Sequence, residues 1–267
     1  MQCESFTDQG MRERMEDILV LQERFCDQAD WVFGSVFDGH GGTEKVAETV
    51  ADLLPKFFVK GLELGVPPEQ NFVTSYEQTQ TLIEKFGFSH GGSCAATFLL
   101  QDNLLTVANT GDSHIVVIDQ KARRLKRLTV DDRMENAAER ERMLEAGAFL
   151  KPPYYCPNRD SAGVMVSRCF GDPSIKPVGL IATPHTASLQ LLSDDQFILA
   201  ATDGLFDFLT DKEILECFKQ HVSREKSQSF RVDLNAILQE LHHNAKASVE
   251  GSSFLSDNIA MILVDVR

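Results

Sequence analysis

The sequence is short of positive charge. Its 267 residues include 26 Lys and Arg against 40 Asp and Glu, which gives a formal net charge of −14 at pH 7. Plain solubility would account for part of this acidity. A surface so negative nevertheless disfavours nonspecific binding to nucleic acid or to anionic membranes. We therefore expect neither nucleic acid nor a membrane among the partners of this chain.

Long apolar runs are absent as well. No stretch is long enough to cross a bilayer as a helix, and the first residues lack the basic and then apolar pattern of a signal peptide. The 6 cysteines include no CxxC pair and no His spacing typical of zinc. Cys26, Cys94, Cys169 and Cys217 have apolar neighbours, which predicts buried free thiols in a reducing compartment. Cytoplasm and/or nucleus is therefore the expected location.

The chain is rich in residues that can fill a core. Apolar residues make up 43% of it, and 18 are Phe. Runs rich in Val, Ile, Leu and Phe predict strands at 18–25, 31–37, 93–100, 104–109, 114–119, 163–166, 197–201 and 259–266. Helical patterns predict helices at 43–58, 71–86, 133–146, 210–222 and 232–247. Several strands follow one another without an intervening helix, so antiparallel sheets with helices packed outside are favoured over a parallel sheet.

Two local signals are sharper than the rest. The polar segment 101–103 joins two apolar runs and predicts a β-hairpin. Thr210 followed three residues later by Glu213 fits a capping box that opens a helix.

No linker divides the chain, so we predict a single domain over residues 1–267. Within it, residues 151–157 form the longest stretch without periodicity, which predicts an ordered surface flap and not a domain boundary.

Aspartates at the ends of apolar runs are the most informative feature of the sequence. The segments Asp38-Gly39-His40-Gly41-Gly42 and Asp203-Gly204-Leu205-Phe206-Asp207 show the pattern best. Such a junction places a carboxylate at the rim of a sheet, where side chains from several strands can meet. Hard divalent cations prefer oxygen ligands, and a pair of cations needs several acidic groups. The pattern predicts a metal site that acts on phosphate, although each motif alone could be a tight turn or the start of a helix.

Seven short motifs follow one another in a fixed order. They are Arg12-x-x-Met15-Glu16-Asp17, Phe37-Asp38-Gly39-His40-Gly41-Gly42, Gly92-Ser93, Asn109-Thr110-Gly111-Asp112-Ser113, Ser167-Arg168-x-x-Gly171-Asp172, Ala201-Thr202-Asp203-Gly204-x-x-Asp207 and Ser256-Asp257-Asn258. This series resembles the metal-dependent serine/threonine protein phosphatases of type 2C, also called the PPM family. The resemblance runs from about residue 8 to the last residue.

The resemblance implies an α+β fold, a four-layer αββα sandwich of two antiparallel sheets flanked by helices. It also implies a binuclear Mg²⁺ or Mn²⁺ centre at one end of the sandwich, acting on phosphoprotein substrates. By motif matching, Asp38 would bridge the two ions. Glu16 and the Gly39 carbonyl would serve one ion, and Asp203 and Asp257 the other.

Further roles come with the same resemblance. Asp17 would support the site through bound water. Asp112, together with Asp203 and Asp207, matches the residues that hold a weaker third ion in some members of the family. The resemblance also implies a phosphatase that works without a phosphoenzyme, using hydroxide formed from water between the ions.

Two side chains match residues that handle the substrate in the family. Arg12 matches the phosphate-binding arginine, whose guanidinium can grip two oxygens; the alternative is a surface arginine. His40 matches the proposed general acid, which would protonate the departing Ser or Thr oxygen; the alternative is a histidine that only orients water. Arg168 is expected to be mainly structural, in an ion pair. We expect the chain to act as a monomer.

Residues 149–162 align with the variable flap of the family, which makes Tyr154, Tyr155 and Arg159 candidates for contacts with a substrate; a plain surface loop is an equally good interpretation.

Three positions depart from the usual family pattern. Cys94 stands where Thr is common, His114 where Arg is common, and Asp132 where His is common. None of these changes removes a core metal ligand, but His114 near the third-ion region would introduce sensitivity to pH.

Two other interpretations compete with a phosphatase. One is a catalytically inactive scaffold of the same fold, although such proteins usually lose metal carboxylates that are all present here. The other is a nuclease that uses two cations, which the acidic composition disfavours.

Overall fold

Two antiparallel β-sheets form the centre of the molecule. The computed structural model describes residues 1–42, 44–228, 232–249 and 257–267. In the first sheet the strands are β1 (Gln2–Asp8), β6 (His114–Asp119), β7 (Leu125–Arg127), β12 (Asp195–Ala201) and β13 (Ile259–Asp265), in the spatial order β1-β13-β12-β6-β7. Because β13 pairs with both β1 and β12, residues from the two ends of the described chain meet in this sheet.

The second sheet is built mainly from the first half of the chain. Its strands are β2 (Ile18–Glu23), β3 (Trp31–His40), β4 (Gly92–Gln101), β5 (Leu104–Thr110) and β11 (His185–Gln190), in the order β11-β5-β4-β3-β2, with the short β10 (Phe170–Gly171) paired to β4. A separate hairpin consists of β8 (Phe149–Lys151) and β9 (Tyr154–Cys156).

The described residues form six α-helices. They are α1 (Glu44–Glu63), α2 (Pro68–Phe86), α3 (Ala137–Glu145), α4 (Asp203–Phe206), α5 (Asp211–Gln228) and α6 (Leu234–Val249). Of these, α1, α2, α5 and α6 cover the outer faces of the sheets. Helices α1 and α2 bury Val50, Leu54 and Phe72 against the second sheet. Helices α5 and α6 bury residues such as Phe218 and Leu238 against the first.

A third apolar layer lies between the two sheets. It includes Val36 and Phe98 from the second sheet and Ile198 and Ile262 from the first, all essentially inaccessible to solvent. The alternation of inward and outward side chains along each strand supplies one face to this layer and the other to the helices. The predicted αββα sandwich is therefore confirmed.

Several local predictions are also confirmed. Strands β4 and β5 form the expected hairpin, and Asp102 in its turn has a positive φ of 53°. At the start of α5 the backbone N–H of Thr210 donates to Glu213 Oε2 over 2.8 Å, and the Glu213 N–H donates back to Thr210 Oγ1 over 3.4 Å. The structure therefore contains both halves of the capping box. None of the helices in the described residues combines the length and apolar character needed to cross a bilayer.

Other local predictions were wrong. The segment 163–166 is no strand and forms only isolated bridges at Val164 and Val166. Strand β2 ends at Glu23, two residues early, because the chain turns through left-handed backbone at Arg24 and Cys26. That turn leaves Cys26 exposed, whereas Cys94, Cys169 and Cys217 are buried as expected.

The starts of the first and third helices were predicted at residues 43 and 133. The third helix begins at Ala137, four residues later than predicted, because the Asn136 side chain accepts from the Glu139 N–H and caps it. Thr43, the predicted start of the first helix, lies outside the described residues, and α1 runs from Glu44.

Candidate metal centre

An open cavity of about 500 Å³ lies beside the ends of several strands and gathers most of the predicted site residues. They reach it from β3, from the β5–β6 turn, from the start of α4, and from the segments before β2 and β13. The predicted residues that line it are Arg12, Glu16, Asp38, Gly39, His40, Asp112, Asp203 and Asp257. Asp17 and Asp207 are not among its lining residues.

Asn258 fixes the segment that carries Glu16. Its Oδ1 accepts from the Glu16 N–H over 2.7 Å, and its Nδ2 donates to the carbonyls of Gln9 and Arg14 over 2.7 and 3.0 Å. One buried amide therefore ties the chain before β2 to the chain before β13. Asn258 belongs to the last of the seven motifs, but its role could not be predicted, because nothing in the local sequence signals so distant a partner.

Gly39 is required by the close approach of the Glu16 backbone. A Cβ added to Gly39 would lie 2.4 Å from the Glu16 carbonyl oxygen, which no side chain tolerates. Gly204 is constrained in the same way, because its Cβ would lie 1.9 Å from the carbonyl oxygen of Asn258. The glycines thus let the metal-site segments pack against one another.

Asp17 lies behind the cavity. Its Oδ2 accepts a hydrogen bond of 2.7 Å from Thr202 Oγ1, which itself accepts from the Ala260 N–H over 3.0 Å. Burial raises the pKa of Asp17 to about 7, although the Thr202 hydrogen bond opposes the shift. This is the location expected of a residue that supports the site from behind.

The carboxylates of the cavity repel one another. Burial, followed by the charge of Asp203, raises the pKa of Asp38 well above its ordinary range. Burial and the charge of Asp112 do the same to Asp203. Within the described part of the chain, Glu16 Oε1 and Asp112 Oδ1 are buried without a hydrogen-bond partner.

Unpaired buried carboxylate oxygens are costly unless a cation or donor meets them. One oxygen each of Asp38 and Asp112 lies within 4.8 Å of the other and of Cys94 Sγ. The carboxylate oxygens that line this cavity suit hard divalent cations such as Mg²⁺ and Mn²⁺. The residues of this cavity therefore fit a metal centre.

Arg133 occupies the position that the resemblance assigned to a third ion. Its Nε donates to Asp112 Oδ2 over 2.7 Å, its Nη2 to Asp203 Oδ2 over 2.8 Å, and its Nη1 to Asp207 Oδ1 over 2.7 Å. The sequence placed Arg133 at the start of a helix and gave it no role. It instead precedes α3 and reaches carboxylates from two other parts of the fold.

His40 is paired with Asp172. Its Nε2 lies 2.6 Å from Asp172 Oδ2. Burial by itself would lower the pKa of His40, but the hydrogen bond and the charge of Asp172 outweigh it and raise that pKa. Gly92 makes the contact possible, because a Cβ there would lie 2.1 Å from Asp172 Oδ2 and 2.6 Å from His40 Nε2.

Arg12 lies at the mouth of the cavity. Its side chain is 53% exposed, and its Nη2 pairs with Asp257 Oδ2 over 2.5 Å. An exposed guanidinium beside the acidic cluster can bind a phosphate at the entrance while it offsets the charge of Asp257.

The three departures from the family pattern have separate outcomes. Asp132 accepts from the Gly111 N–H over 2.8 Å and from His185 Nε2 over 2.9 Å, so it braces the turn that carries Asp112. Cys94 is buried beside that turn. Burial lowers the pKa of His114 to about 3, so the imidazole is neutral at physiological pH and the expected pH sensitivity was wrong.

The flap supplies part of the cavity wall. Tyr154 lines the cavity and is 41% exposed, whereas Tyr155 is fully buried and cannot contact a substrate. Arg159 is not among the lining residues. Arg168 is structural as expected, with Nη2 at 2.7 Å from Glu139 Oε1.

Fold and site together define a class: an αββα sandwich with an acidic cavity, suited to divalent cations, among its strand ends. The family model described as protein phosphatase 2C matches residues 1–252. The chain therefore belongs to the protein phosphatase 2C family.

Individual relatives agree with this assignment. The chain is 33% identical to "Probable protein phosphatase 2C 32" of Oryza sativa subsp. japonica, over 81% of this chain and 55% of that protein. It is 29% identical to "Probable protein phosphatase 2C 33" of Arabidopsis thaliana, over 83% of this chain and 60% of that protein. The matched regions thus span somewhat more than half the length of these relatives.

A solved structure shows the same fold. The serine-threonine phosphatase 2C from Toxoplasma gondii superposes with a TM-score of 0.79 at 21% identity, covering 98% of this chain and 94% of that one.

Proposed function

We propose that this chain hydrolyses phosphoserine and phosphothreonine in proteins, using a binuclear Mg²⁺ or Mn²⁺ centre. One observation carries the proposal: carboxylates from separate segments line one cavity together with a histidine and an arginine. Membership of the protein phosphatase 2C family supports the same activity.

The acidic residues would hold the metal ions. Asp38 would bridge them, Glu16 and the Gly39 carbonyl would bind one, and Asp203 and Asp257 the other. When bound, two such cations lower the pKa of a water molecule from 15.7 towards ~7 and supply a nucleophile at neutral pH. The protein contributes a rigid arrangement of these ligands, which Asn258 and the glycines hold in register.

Arg12 and His40 would handle the phosphoester. Arg12 would orient the phosphate at the cavity mouth through its planar guanidinium. His40, whose pKa is raised by Asp172 against the effect of burial, would give its proton to the departing Ser or Thr oxygen. Without that proton the leaving group would depart as an alkoxide, which is unfavourable at neutral pH.

Hydrolysis of a phosphoserine peptide, with Mn²⁺ or Mg²⁺ and then with chelator, tests the proposal. We expect turnover that needs the metal and is lost in Asp38→Asn. Asp52→Asn is the matched control, because Asp52 is exposed on α1 and pairs with the exposed Lys56 one turn away. Metal-independent turnover, or full activity in Asp38→Asn, would contradict the proposal.

The inactive-scaffold alternative predicts no turnover by the folded protein at any metal concentration. No observation in the described residues favours it, because the four acidic side chains expected at the binuclear centre, Glu16, Asp38, Asp203 and Asp257, all line the cavity. A monomer acting in the cytoplasm or nucleus remains a prediction from the sequence.

A further inference from the structure

Arg133 forms ion pairs with the three carboxylates that the resemblance assigned to a third ion. Its three guanidinium nitrogens each bind a different aspartate, namely Asp112, Asp203 and Asp207, over 2.7 to 2.8 Å. The Arg133 side chain is only 19% exposed and that of Asp112 only 7%, so solvent screens this contact less than the one with Asp207, which is 42% exposed. An arginine remains charged at any pH of interest.

The loop that carries Arg133 is fixed on both sides. The Arg133 N–H donates to Asp131 Oδ1 over 2.9 Å, and Arg133 forms a bridge with Val166. The preceding residue, Asp132, accepts from the Gly111 N–H, next to Asp112. The guanidinium is therefore held in place by the same turn that presents Asp112 to the cavity.

Arg133 contacts one carboxylate oxygen of Asp112 and one of Asp203. It bonds Oδ2 of both Asp112 and Asp203, while Asp112 Oδ1 remains buried without a partner in the described part of the chain. Asp112 and Asp203 thus each keep one oxygen, Oδ1, that Arg133 does not bond.

We propose that Arg133 is a resident cation that replaces a third metal ion in this chain and positions Asp203 and Asp112 for the binuclear centre. The inference rests on the proposed function for the existence of that centre. It departs from the expectation that Asp112, Asp203 and Asp207 hold a weak third ion, because their facing oxygens are already bonded to Arg133. Arg133 is a positioning residue and does not touch the substrate.

Counting bound ions tests this role without measuring activity. Mn²⁺ is titrated calorimetrically into the metal-free wild type, Arg133→Met, Arg133→Lys, and Arg133→Met combined with Asp207→Asn. Met keeps the unbranched stem but removes the charge. We expect Arg133→Met to bind one ion more than wild type, the double variant to lose that extra ion, and Arg133→Lys to match wild type.

The possible outcomes separate the two proposals. Three ions on wild type, or no extra ion on a folded Arg133→Met, would overturn the role of Arg133 and leave the phosphatase proposal standing. No Mn²⁺ on the folded wild type would overturn both.

If Arg133→Met does not fold, Asp207→Asn alone decides. We expect it to bind as many ions as wild type, because Arg133 already occupies Asp207. Loss of one ion in this variant would show that Asp207 holds a metal and would overturn the inference.

Discussion

At the scale of single residues, the proposed role of His40 as a general acid can be tested with substrates that differ in their leaving group. A phosphoserine peptide needs a proton on its departing oxygen, whereas an activated aryl phosphate does not. We expect His40→Gln to slow the peptide reaction by ~100-fold or more, because that is the usual contribution of a general acid. Asp172→Asn should give a smaller loss, since it leaves the imidazole in place but unpaired.

The comparison of the two substrates checks this prediction. The steady-state rates of each variant are measured on phosphopeptide and on 4-nitrophenyl phosphate, and the aryl substrate should lose much less. Equal losses on both would show that His40 acts by orienting water or by folding, and not as an acid.

The positions of single site residues also show how much of the site could be predicted from the sequence. Glu16, Asp38, Asp112, Asp203 and Asp257 line the cavity as expected, because each follows or precedes an apolar strand whose end is visible in the sequence, whereas Asp17 and Asp207 do not line it. Arg133 and Asn258 were missed, because their partners lie 70 and 242 positions away and depend on how strands from both halves of the chain are arranged.

At the scale of elements, α3 is joined to the rest of the fold by a buried ion network. Glu139 on α3 binds Arg168 and Arg142 and accepts from Ser167 Oγ over 2.8 Å. These hydrogen bonds outweigh the effect of burial and lower the pKa of Glu139 from 4.5 to about 2. The carboxylate is thus ionised in the folded protein well below the pH at which it protonates in the unfolded chain.

We expect Glu139→Gln to reduce the free energy of unfolding by about 3–5 kcal/mol, because it leaves partly buried guanidinium groups without their counter-charge. Urea denaturation at pH 7 measures the loss. Glu141→Gln is the matched control, since Glu141 is exposed on the same helix and should change stability by less than about 0.5 kcal/mol.

The same network predicts how the stability of the folded protein changes with pH. Because the pKa of Glu139 is lower in the folded state, its stabilisation is fully present above about pH 4.5 and is lost as the pH falls towards 2. Wild type should therefore lose more stability than Glu139→Gln over this range. Parallel acid profiles of the two proteins would be evidence against the network.

Elements differ in how well the sequence predicted them. Long helices and the β4–β5 hairpin were found because period and turn chemistry are local properties. Strands β7 to β10 were not found, because two or three residues carry no period and pair only where a longer strand offers an edge. Strand β1 is half exposed and became recognisable only through its pairing with β13.

At the scale of the whole molecule, the acidic residues that the proposed activity needs should lower the stability of the metal-free protein. The carboxylates around Asp38 repel one another in the metal-free protein. We expect Asp38→Asn to raise the free energy of unfolding of the metal-free protein by about 0.5–2 kcal/mol, the usual size of such relief at a functional site.

When metal ions are bound, wild type should be more stable than Asp38→Asn. At a Mn²⁺ concentration 100 times the dissociation constant, wild type should gain about 2.7 kcal/mol by linkage, while Asp38→Asn should gain little. Thermal unfolding with Mn²⁺ and with chelator measures both effects. A metal-free Asp38→Asn protein less stable than wild type would mean that Asp38 is held by donors within the fold.

The hydrogen bonds of Asn258 bear on how the protein is made. Glu16 is fixed by a residue 242 positions later in the chain. A ribosome must therefore have released nearly the whole described polypeptide before the first segment can settle into its working position. If the proposed function holds, nascent chains that stop short of β13 should lack phosphatase activity, so the protein would stay inactive during most of its translation.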